Sequence, residues 1–224
     1  IDSVVGVVDR YTILDTGSND STIDLIRQGF GSTPGSIFEE PFVDFSTSRN
    51  RVIELEGEKS KFALMLSGDE TLVNGMLLRE FLKSKDSSAY NIRVRMGVNE
   101  YLSTRVHCTS ESWRYDGRTH EMMRTSGGIV AGALIPSVLI RHEKSGVDRG
   151  RLLSDERLLL EDWAASGLPR TAFYLGQTYA LLHNWTAAYE WYEMRMSLEG
   201  WDEEEYAALM SMARIKMASA SSWD

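Results

Sequence analysis

The sequence predicts an α/β fold with a mostly parallel sheet flanked by helices, followed by an all-α tail. Two observations lead to this expectation. Short β-forming runs alternate with amphipathic segments in the first half of the 224 residues, whereas only helical periodicity occurs from about residue 152 onward. In addition, five of the six tryptophans lie in the last third of the chain. We therefore expect two domains, at residues 1–150 and 151–224.

The first strand–loop–helix unit is expected at residues 11–28. Residues 11–15 are rich in β-formers, and the turn-forming residues 17–20 follow them. Apolar residues at helical spacing then predict a helix over residues 22–28, with several polar residues before it that can serve as its N-cap.

The next elements continue the alternation. The patterns predict a helix at 46–56 ended by Gly57, an apolar strand at 61–66, a helix at 77–83, and a strand at 89–96 with a hairpin partner at 103–109. The strand at 61–66 is continuously apolar, which is typical of a central strand buried on both faces. In a parallel sheet, Asp15 and Asp69 would follow their strands at one common edge, where ligands bind.

The tail is expected to consist of helices only. The apolar spacing predicts helices at 152–166, 171–182 and 186–198, and a fourth after Trp201, where Asp202 can cap the first turn.

Composition limits the classes of function. The formal net charge of −9 argues against non-specific nucleic-acid binding, which needs a basic surface, but it is compatible with a nucleotide whose phosphates are screened by a cation. No apolar run approaches the ~20 residues that a transmembrane helix needs. Cys108 is the single cysteine, so no disulfide can form within the chain, and we expect a cytoplasmic protein.

Acidic residues at two predicted strand ends are candidate ligand-binding groups. Asp15, followed by Gly17 and Ser18, can accept hydrogen bonds from a nucleoside while the loop amides lie near phosphate. Asp69 supplies the oxygen ligand that Mg²⁺ or Mn²⁺ prefers. The structural alternatives are an ordinary capped turn at the first position and a strand-terminal turn at the second.

Arg49 and the segment 113–121 are further candidates for ligand binding or catalysis. Arg49 lies near the start of a predicted helix, where its charge opposes the helix dipole, so we expect a partner, either Asp44 or a ligand phosphate. Residues 113–121 combine aromatic rings, cations and a His-Glu pair, a composition suited to stacking on a sugar and to general-base catalysis. His142 can add an imidazole ligand, although a lone histidine is more often structural.

The motifs, taken in order, resemble a known family. They are Asp-Thr-Gly-Ser at 15–18, Phe-Val-Asp-Phe-Ser-x-x-Arg-Asn at 42–50, Leu-Ser-Gly-Asp-Glu at 66–70 and Trp-x-Tyr-x-Gly-x-x-His-Glu at 113–121. This order is similar to that of family-2-like glycosyltransferases of the GT-A fold that carry C-terminal tetratricopeptide helices. Residues 175–179 and 188–192 also match the core of one tetratricopeptide repeat.

The resemblance implies a set of site residues. The nucleotide-sugar site would comprise Asp15, Gly17, Ser18, Asp44, Arg49, Gly68, Asp69, Trp113 and His120. Glu121 would be the general base, and a divalent cation, Mn²⁺ or Mg²⁺, would be held by Asp69 and His142. Ser67 stands where the family's Asp-x-Asp motif has its first acid. The family also begins with a strand, whereas residues 1–8 look like the helix after it, so we expect that strand to be missing from this sequence.

The resemblance implies an inverting transfer of a sugar from a nucleotide-diphosphate donor to a hydroxyl of a glycan, protein or small-molecule acceptor. Glu121 would activate this hydroxyl, and the metal would stabilise the departing diphosphate. Two alternatives stay open. The first is a catalytically inactive GT-A-like scaffold, and the second is a helical-repeat module whose tail binds a protein partner.

Overall fold

A computed structural model describes residues 1–130, 132–143 and 148–220 of the chain. The chain divides into two compact units, each with its own set of elements. The first unit comprises Ile1–Asp116 with Glu121–Ser145, and the second comprises Gly117–His120 with Gly146–Asp224.

The first unit has both helices and strands, which confirms the α/β class. Its elements are β1 (Tyr11–Asp15), α1 (Thr22–Phe30), β2 (Gly35–Glu39), α2 (Phe45–Glu56), β3 (Phe62–Leu64), β4 (Glu70–Val73), α3 (Gly75–Leu82), β5 (Ala89–Met96), β6 (Asn99–Cys108), β7 (Trp113–Asp116), β8 (Met122–Thr125) and β9 (Ala133–His142). The helices predicted at 22–28, 46–56 and 77–83 and the strand predicted at 89–96 are each found within a few residues of their expected bounds.

The expectation of a mostly parallel sheet is wrong. The largest sheet has the order β3-β6-β5-β9-β4, and only its β5-β9 pair is parallel. Strands β5 and β6 pair antiparallel because they form a hairpin, in which Gly97 adopts a left-handed conformation at φ 59°, and β3–β6 and β4–β9 are antiparallel as well. Strands β1 and β2 form a separate parallel pair, and β7 and β8 form an antiparallel one.

Two expectations about strand position also fail. The apolar run at 61–66 was expected to form a central strand, but β3 lies at the edge of its sheet and is half-buried. Its Phe62 packs edge-on against Tyr90 at 5.8 Å, so side-chain contacts bury part of this run. Asp15 and Asp69 do not follow neighbouring strands of one sheet, because β1 belongs to the two-stranded sheet and Asp69 directly precedes β4.

The N-terminal segment forms turns rather than the expected helix. Its backbone makes two hydrogen bonds of α-helical spacing, from Val5 to Ile1 and from Val8 to Val4. The left-handed Gly6, at φ 80°, interrupts the helical path between them. Val4 and Val7 nevertheless pack against the core of the first unit.

The described residues of the first unit form two hydrophobic clusters, and the larger one lies against the five-stranded sheet. Its buried members are Leu72, Leu78, Tyr90, Ile92, Val94, Val106, Ile135, Val138 and Ile140. Apolar residues alternate along β5, as the sequence pattern predicts, because successive side chains of a strand point to opposite faces.

The second unit contains the four expected helices. They are α4 (Arg149–Ser166), α5 (Pro169–Leu181), α6 (Trp185–Met196) and α7 (Asp202–Ala220). Helices α5 and α6 approach closely at Gly176, where an added Cβ would lie 2.7 Å from the ring of Tyr192. The small residue at 176 and the aromatic residue at 192, which match the tetratricopeptide spacing, therefore allow the two helices to pack closely. In the part of the chain that the structure describes, no helix is long and apolar enough to cross a membrane.

Candidate functional site

Asp15 lies buried at the end of β1, and its carboxylate organises the following turn. Its Oδ2 accepts hydrogen bonds from the backbone N–H groups of Gly17, at 3.0 Å, and Ser18, at 2.8 Å. Gly17 has φ 123°, a conformation that side chains rarely adopt. Hydrogen bonds from the Ser18 hydroxyl and backbone lower the pKa of Asp15, although burial opposes them. The turn therefore holds a charged carboxylate at the strand end.

Asp44 is the N-cap of α2 and is buried. Its Oδ1 accepts hydrogen bonds from the backbone N–H of Thr47, at 2.6 Å, and the hydroxyl of Ser46, at 3.0 Å. These bonds satisfy donors at the first helical turn. Asp44 thereby sets the direction of the helix that carries Arg49.

Arg49 forms an ion pair with Glu121, so its charged partner is Glu121 and not Asp44. Its Nη2 also donates a hydrogen bond to Ser67 Oγ at 3.1 Å, and its guanidinium lies over the ring of Tyr115 at 5.3 Å. Burial lowers the pKa of Arg49, but the negative charges of Glu121 and Glu70 more than offset this effect and raise the pKa above its ordinary value.

A second ion pair, between Glu70 and Arg105, meets the first at Ser67. The Arg105 guanidinium donates two hydrogen bonds to the Glu70 carboxylate, at 2.6 and 3.1 Å. Glu70 Oε2 also accepts the backbone N–H of Ser67 at 2.9 Å. The side chains of Glu70 and Arg105 are only 2% and 9% exposed. No local sequence pattern indicates this pair, because its members are 35 residues apart and belong to different strands.

Asp69 and His142, the two predicted metal ligands, are brought together by the pairing of β4 with β9. This register places Glu70 opposite His142, and the Asp69 carbonyl accepts the backbone N–H of Glu143 at 3.2 Å. Asp69 Oδ2 then lies 2.8 Å from His142 Nε2. Asp69 is partly exposed, so this pair is open to a ligand.

Asp69 and His142 are the residues to which the sequence resemblance assigns a divalent cation, and in this structure they bind each other. Their 2.8 Å separation is a hydrogen-bond distance, so a cation held by both side chains would have to replace this hydrogen bond. Imidazole favours Mn²⁺ over Mg²⁺ in such a mixed set. Among the described residues, no group of three or more histidine, cysteine or acidic side chains could hold a metal. The pair would therefore need ligand phosphates or water to complete the coordination, as Mg²⁺-type sites commonly do.

The remaining predicted residues differ in where they lie. Trp113 packs in the smaller hydrophobic cluster of the first unit at 5% exposure, and its Nε1 donates to the Cys108 carbonyl at 2.9 Å, so in this structure its ring is not open to a sugar. His120 belongs to the second unit, where it stacks on Tyr174. Gly68 lies in the segment between β3 and β4, and an added Cβ there would meet no atom within 4 Å.

His107 gives the first unit a predicted pH dependence. Burial lowers its pKa from 6.5 to about 4, and its Nδ1 is buried without a hydrogen-bond partner among the described residues. In the unfolded chain His107 gains a proton near its ordinary pKa, whereas in the folded unit it stays neutral to about pH 4. Stability is therefore lost as the pH falls through this window, by about 3 kcal/mol in total.

The variant His107→Leu should remove this part of the pH dependence. We expect the free energy of unfolding to fall less between about pH 7 and about pH 4.5 than in the wild-type protein, as measured by urea unfolding. Replacing the exposed His183 by Asn is the matched control. If His107→Leu keeps the full wild-type slope, His107 is not the cause.

No protein-family model matches the chain, and no curated protein matches it either. Two groups of side chains in the first unit are the candidates for a functional site. One is the pair of ion pairs that meet at Ser67, and the other is the open Asp69–His142 pair.

Proposed function

We propose that the chain is a glycosyltransferase that moves a sugar from a nucleotide-diphosphate donor to an acceptor hydroxyl, with inversion and with the help of a divalent cation. The observation that carries this proposal is the segment from Ser67 to Glu70. Ser67 binds Arg49, which pairs with the base candidate Glu121, and Asp69 lies against His142. The four-residue segment thus contacts Arg49, which can bind a phosphate, and contains Asp69 of the proposed metal-ligand pair. The proposed base, Glu121, lies next to the segment through its ion pair with Arg49.

The proposed reaction uses each of these side chains once. Arg49 binds a phosphate oxygen of the donor through its guanidinium. Glu121 accepts the proton of the acceptor hydroxyl, whose oxygen forms the new bond to the anomeric carbon. The bond from this carbon to the diphosphate breaks, and the diphosphate leaves with the electron pair. A divalent cation at Asp69 and His142 would offset the negative charge that develops on the leaving diphosphate.

Asp15 is assigned to the nucleoside end of the donor. Its carboxylate is charged at neutral pH, and the hydrogen bonds that lower its pKa further favour this charged form, which can accept hydrogen bonds from a base or a ribose. The Gly17 and Ser18 amides fix the orientation of this carboxylate. Asp44 supports the site indirectly, because it caps the helix that carries Arg49.

An inactive GT-A-like scaffold is the second candidate, and Ser67 favours it. Ser67 stands where the resembled family has the first acid of its Asp-x-Asp motif, so a hydroxyl replaces a carboxylate there. This hydroxyl accepts a hydrogen bond from Arg49. A scaffold of this kind would bind the nucleotide donor without transferring its sugar. Donor binding and turnover therefore separate the two candidates.

The proposal predicts that nucleotide sugars stabilise the protein. We expect UDP-, GDP- or dTDP-sugars with Mn²⁺ to raise the melting temperature, because a ligand present at 100 times its Kd stabilises the folded state by about 2.7 kcal/mol. Asp69→Ala should remove the Mn²⁺-dependent part of this rise, and Asp86→Ala, at an exposed position, should retain it. Thermal unfolding with and without each ligand measures the effect.

The thermal shift and the turnover together distinguish the transferase from the inactive scaffold. A rise accompanied by donor turnover supports the transferase, and a rise without turnover of any acceptor supports the scaffold. If no donor changes the melting temperature, the proposed nucleotide site is wrong. If Asp69→Ala responds to Mn²⁺ like the wild-type protein, Asp69 is not a metal ligand.

A further inference from the structure

Helix α7 buries one face against the other helices of the second unit. Ala208 is fully buried, and Met212 and Ile215 lie in the same hydrophobic cluster. This cluster also contains the buried rings of Phe173 in α5 and Tyr192 in α6. Positions 208, 212 and 215 recur at helical spacing, so they form the inward face of an amphipathic helix. Packing within the unit therefore explains the apolar residues on this side of α7.

The opposite face of α7 carries a second apolar row, which is exposed. It consists of four residues, Tyr206, Leu209, Met210 and Ala213, which we call the outer stripe. Their spacing of three and four residues places them in one line along the helix, about half a turn away from the buried face. A surface helix normally presents polar and charged residues on this side. An apolar line with this spacing is typical of a surface that binds another helix.

Charged residues border the outer stripe on both sides in a regular arrangement. Glu203 and Arg214 are eleven residues apart, which is close to three full turns, so they lie on the same side of the stripe. Glu205 and Lys216 repeat this spacing on the other side. Glu205 also pairs with Arg195 of its own unit at 3.4 Å, whereas Glu203 and Arg214 are both exposed to solvent. On each side the acid thus belongs to the first half of α7 and the base to the second half.

This arrangement of charges is self-complementary when two copies of α7 are antiparallel. If a two-fold axis relates the copies, the outer stripes face each other and the same sides of the two helices meet. Glu203 of each copy then lies near the partner's Arg214, so opposite charges meet at both ends of the interface. In a parallel pair, acids would meet acids and bases would meet bases. The helix dipoles, which repel each other in parallel neighbours, also favour the antiparallel arrangement.

We propose that the outer stripe binds the same stripe of a second copy of this chain, so that two antiparallel α7 helices form the interface of a two-fold symmetric dimer. A second copy fits because it supplies both an apolar line and charges of opposite sign at the matching positions. A partner without this order of acids and bases would match only the apolar part of the surface. Dimerisation of this kind involves the second unit alone and is independent of sugar transfer.

Sedimentation velocity over a series of concentrations measures the oligomeric state of the full chain. We expect the wild-type protein to change from a single chain of 25.3 kDa to twice this mass as its concentration rises. Leu209→Glu places a charge within the outer stripe and should weaken dimerisation at least about 10-fold. Leu153→Glu on α4 is the matched control, because Leu153 is 48% exposed and Leu209 is 51% exposed in the same unit. This control should dimerise like the wild-type protein.

Exchange of the charges tests the antiparallel orientation, and it also serves as the test if Leu209→Glu does not fold. Glu203→Arg and Arg214→Glu each bring like charges together in the dimer, so each variant alone should dimerise about 10-fold more weakly. The double variant Glu203→Arg/Arg214→Glu restores opposite charges and should dimerise like the wild-type protein. A mixture of the two single variants should form heterodimers, because each acid of one chain then meets a base of the other.

Several results would contradict the proposed dimer. If the wild-type protein sediments as a single chain at every concentration, the outer stripe does not bind a second copy. If Leu209→Glu dimerises like the wild-type protein, or if only Leu153→Glu loses the dimer, the interface lies on another surface. If the double charge variant dimerises as weakly as the two single variants, the antiparallel pairing of Glu203 with Arg214 is wrong.

Discussion

Replacing Arg105 by methionine is expected to lower the free energy of unfolding of the first unit by about 3–5 kcal/mol. Arg105 makes two hydrogen bonds to Glu70, whose side chain is only 2% exposed. Without the guanidinium, the buried carboxylate loses the adjacent opposite charge and the two hydrogen bonds that compensate its desolvation. Amide hydrogen exchange in β5 and β6 measures this loss, since these strands form the middle of the sheet.

A surface ion pair on the same hairpin supplies the control. Arg95 pairs with Glu100, but both side chains are substantially exposed, so Arg95→Met should cost no more than about 1 kcal/mol. The double variant Glu70→Leu/Arg105→Met should regain much of the lost stability, because it removes both charges. A similar small loss in Arg105→Met and Arg95→Met would contradict the importance of the buried pair.

Replacing Glu121 by glutamine is expected to lower the rate of sugar transfer by about 100- to 10,000-fold. Glutamine has a similar shape, but its side-chain amide cannot accept the proton of the acceptor hydroxyl as the carboxylate of Glu121 does. Donor binding should remain, because the residues assigned to the nucleotide, including Asp15 and Arg49, are unchanged. Steady-state kinetics with the donor that gives the largest thermal shift would show a lower kcat.

Glu111→Gln is the matched control for this experiment. Glu111 is an exposed residue of the first unit, outside the proposed site, and its replacement should leave kcat unchanged. A circular dichroism spectrum like that of the wild-type protein would show that Glu121→Gln is folded despite the lost ion pair with Arg49. If Glu121→Gln then retains full turnover, another residue is the base.

Local sequence patterns predicted the helices and several strands because their signals lie within a few neighbouring residues. The alternation over 89–96 reproduces β5, and Gly57 ends α2 as expected. The helical spacing of the tail likewise predicted all four of its helices. Sheet order could not be predicted in this way. It depends on which distant strands pair, and the expectation that Asp15 and Asp69 share an edge failed for that reason.

For the site, the sequence identified residue types, but the structure decided their partners. Arg49 was expected to need an opposite charge, since its position opposes the helix dipole, yet no local pattern pointed to Glu121 as that partner. Asp69 and His142 were expected to act together, and the register of β4 with β9 brings them within 2.8 Å. Trp113, whose aromatic character suggested a sugar platform, packs in the core instead.

The sequence by itself determined the α/β class, the all-helical tail and the residues able to carry charge or bind a metal. These features follow from periodicity and from side-chain chemistry, which are local properties of the chain. Only the tertiary structure decided that two ion pairs meet at Ser67, and that Gly117–His120 belongs to the helical unit. Such juxtapositions depend on contacts between residues far apart in sequence, whose energies no local pattern contains.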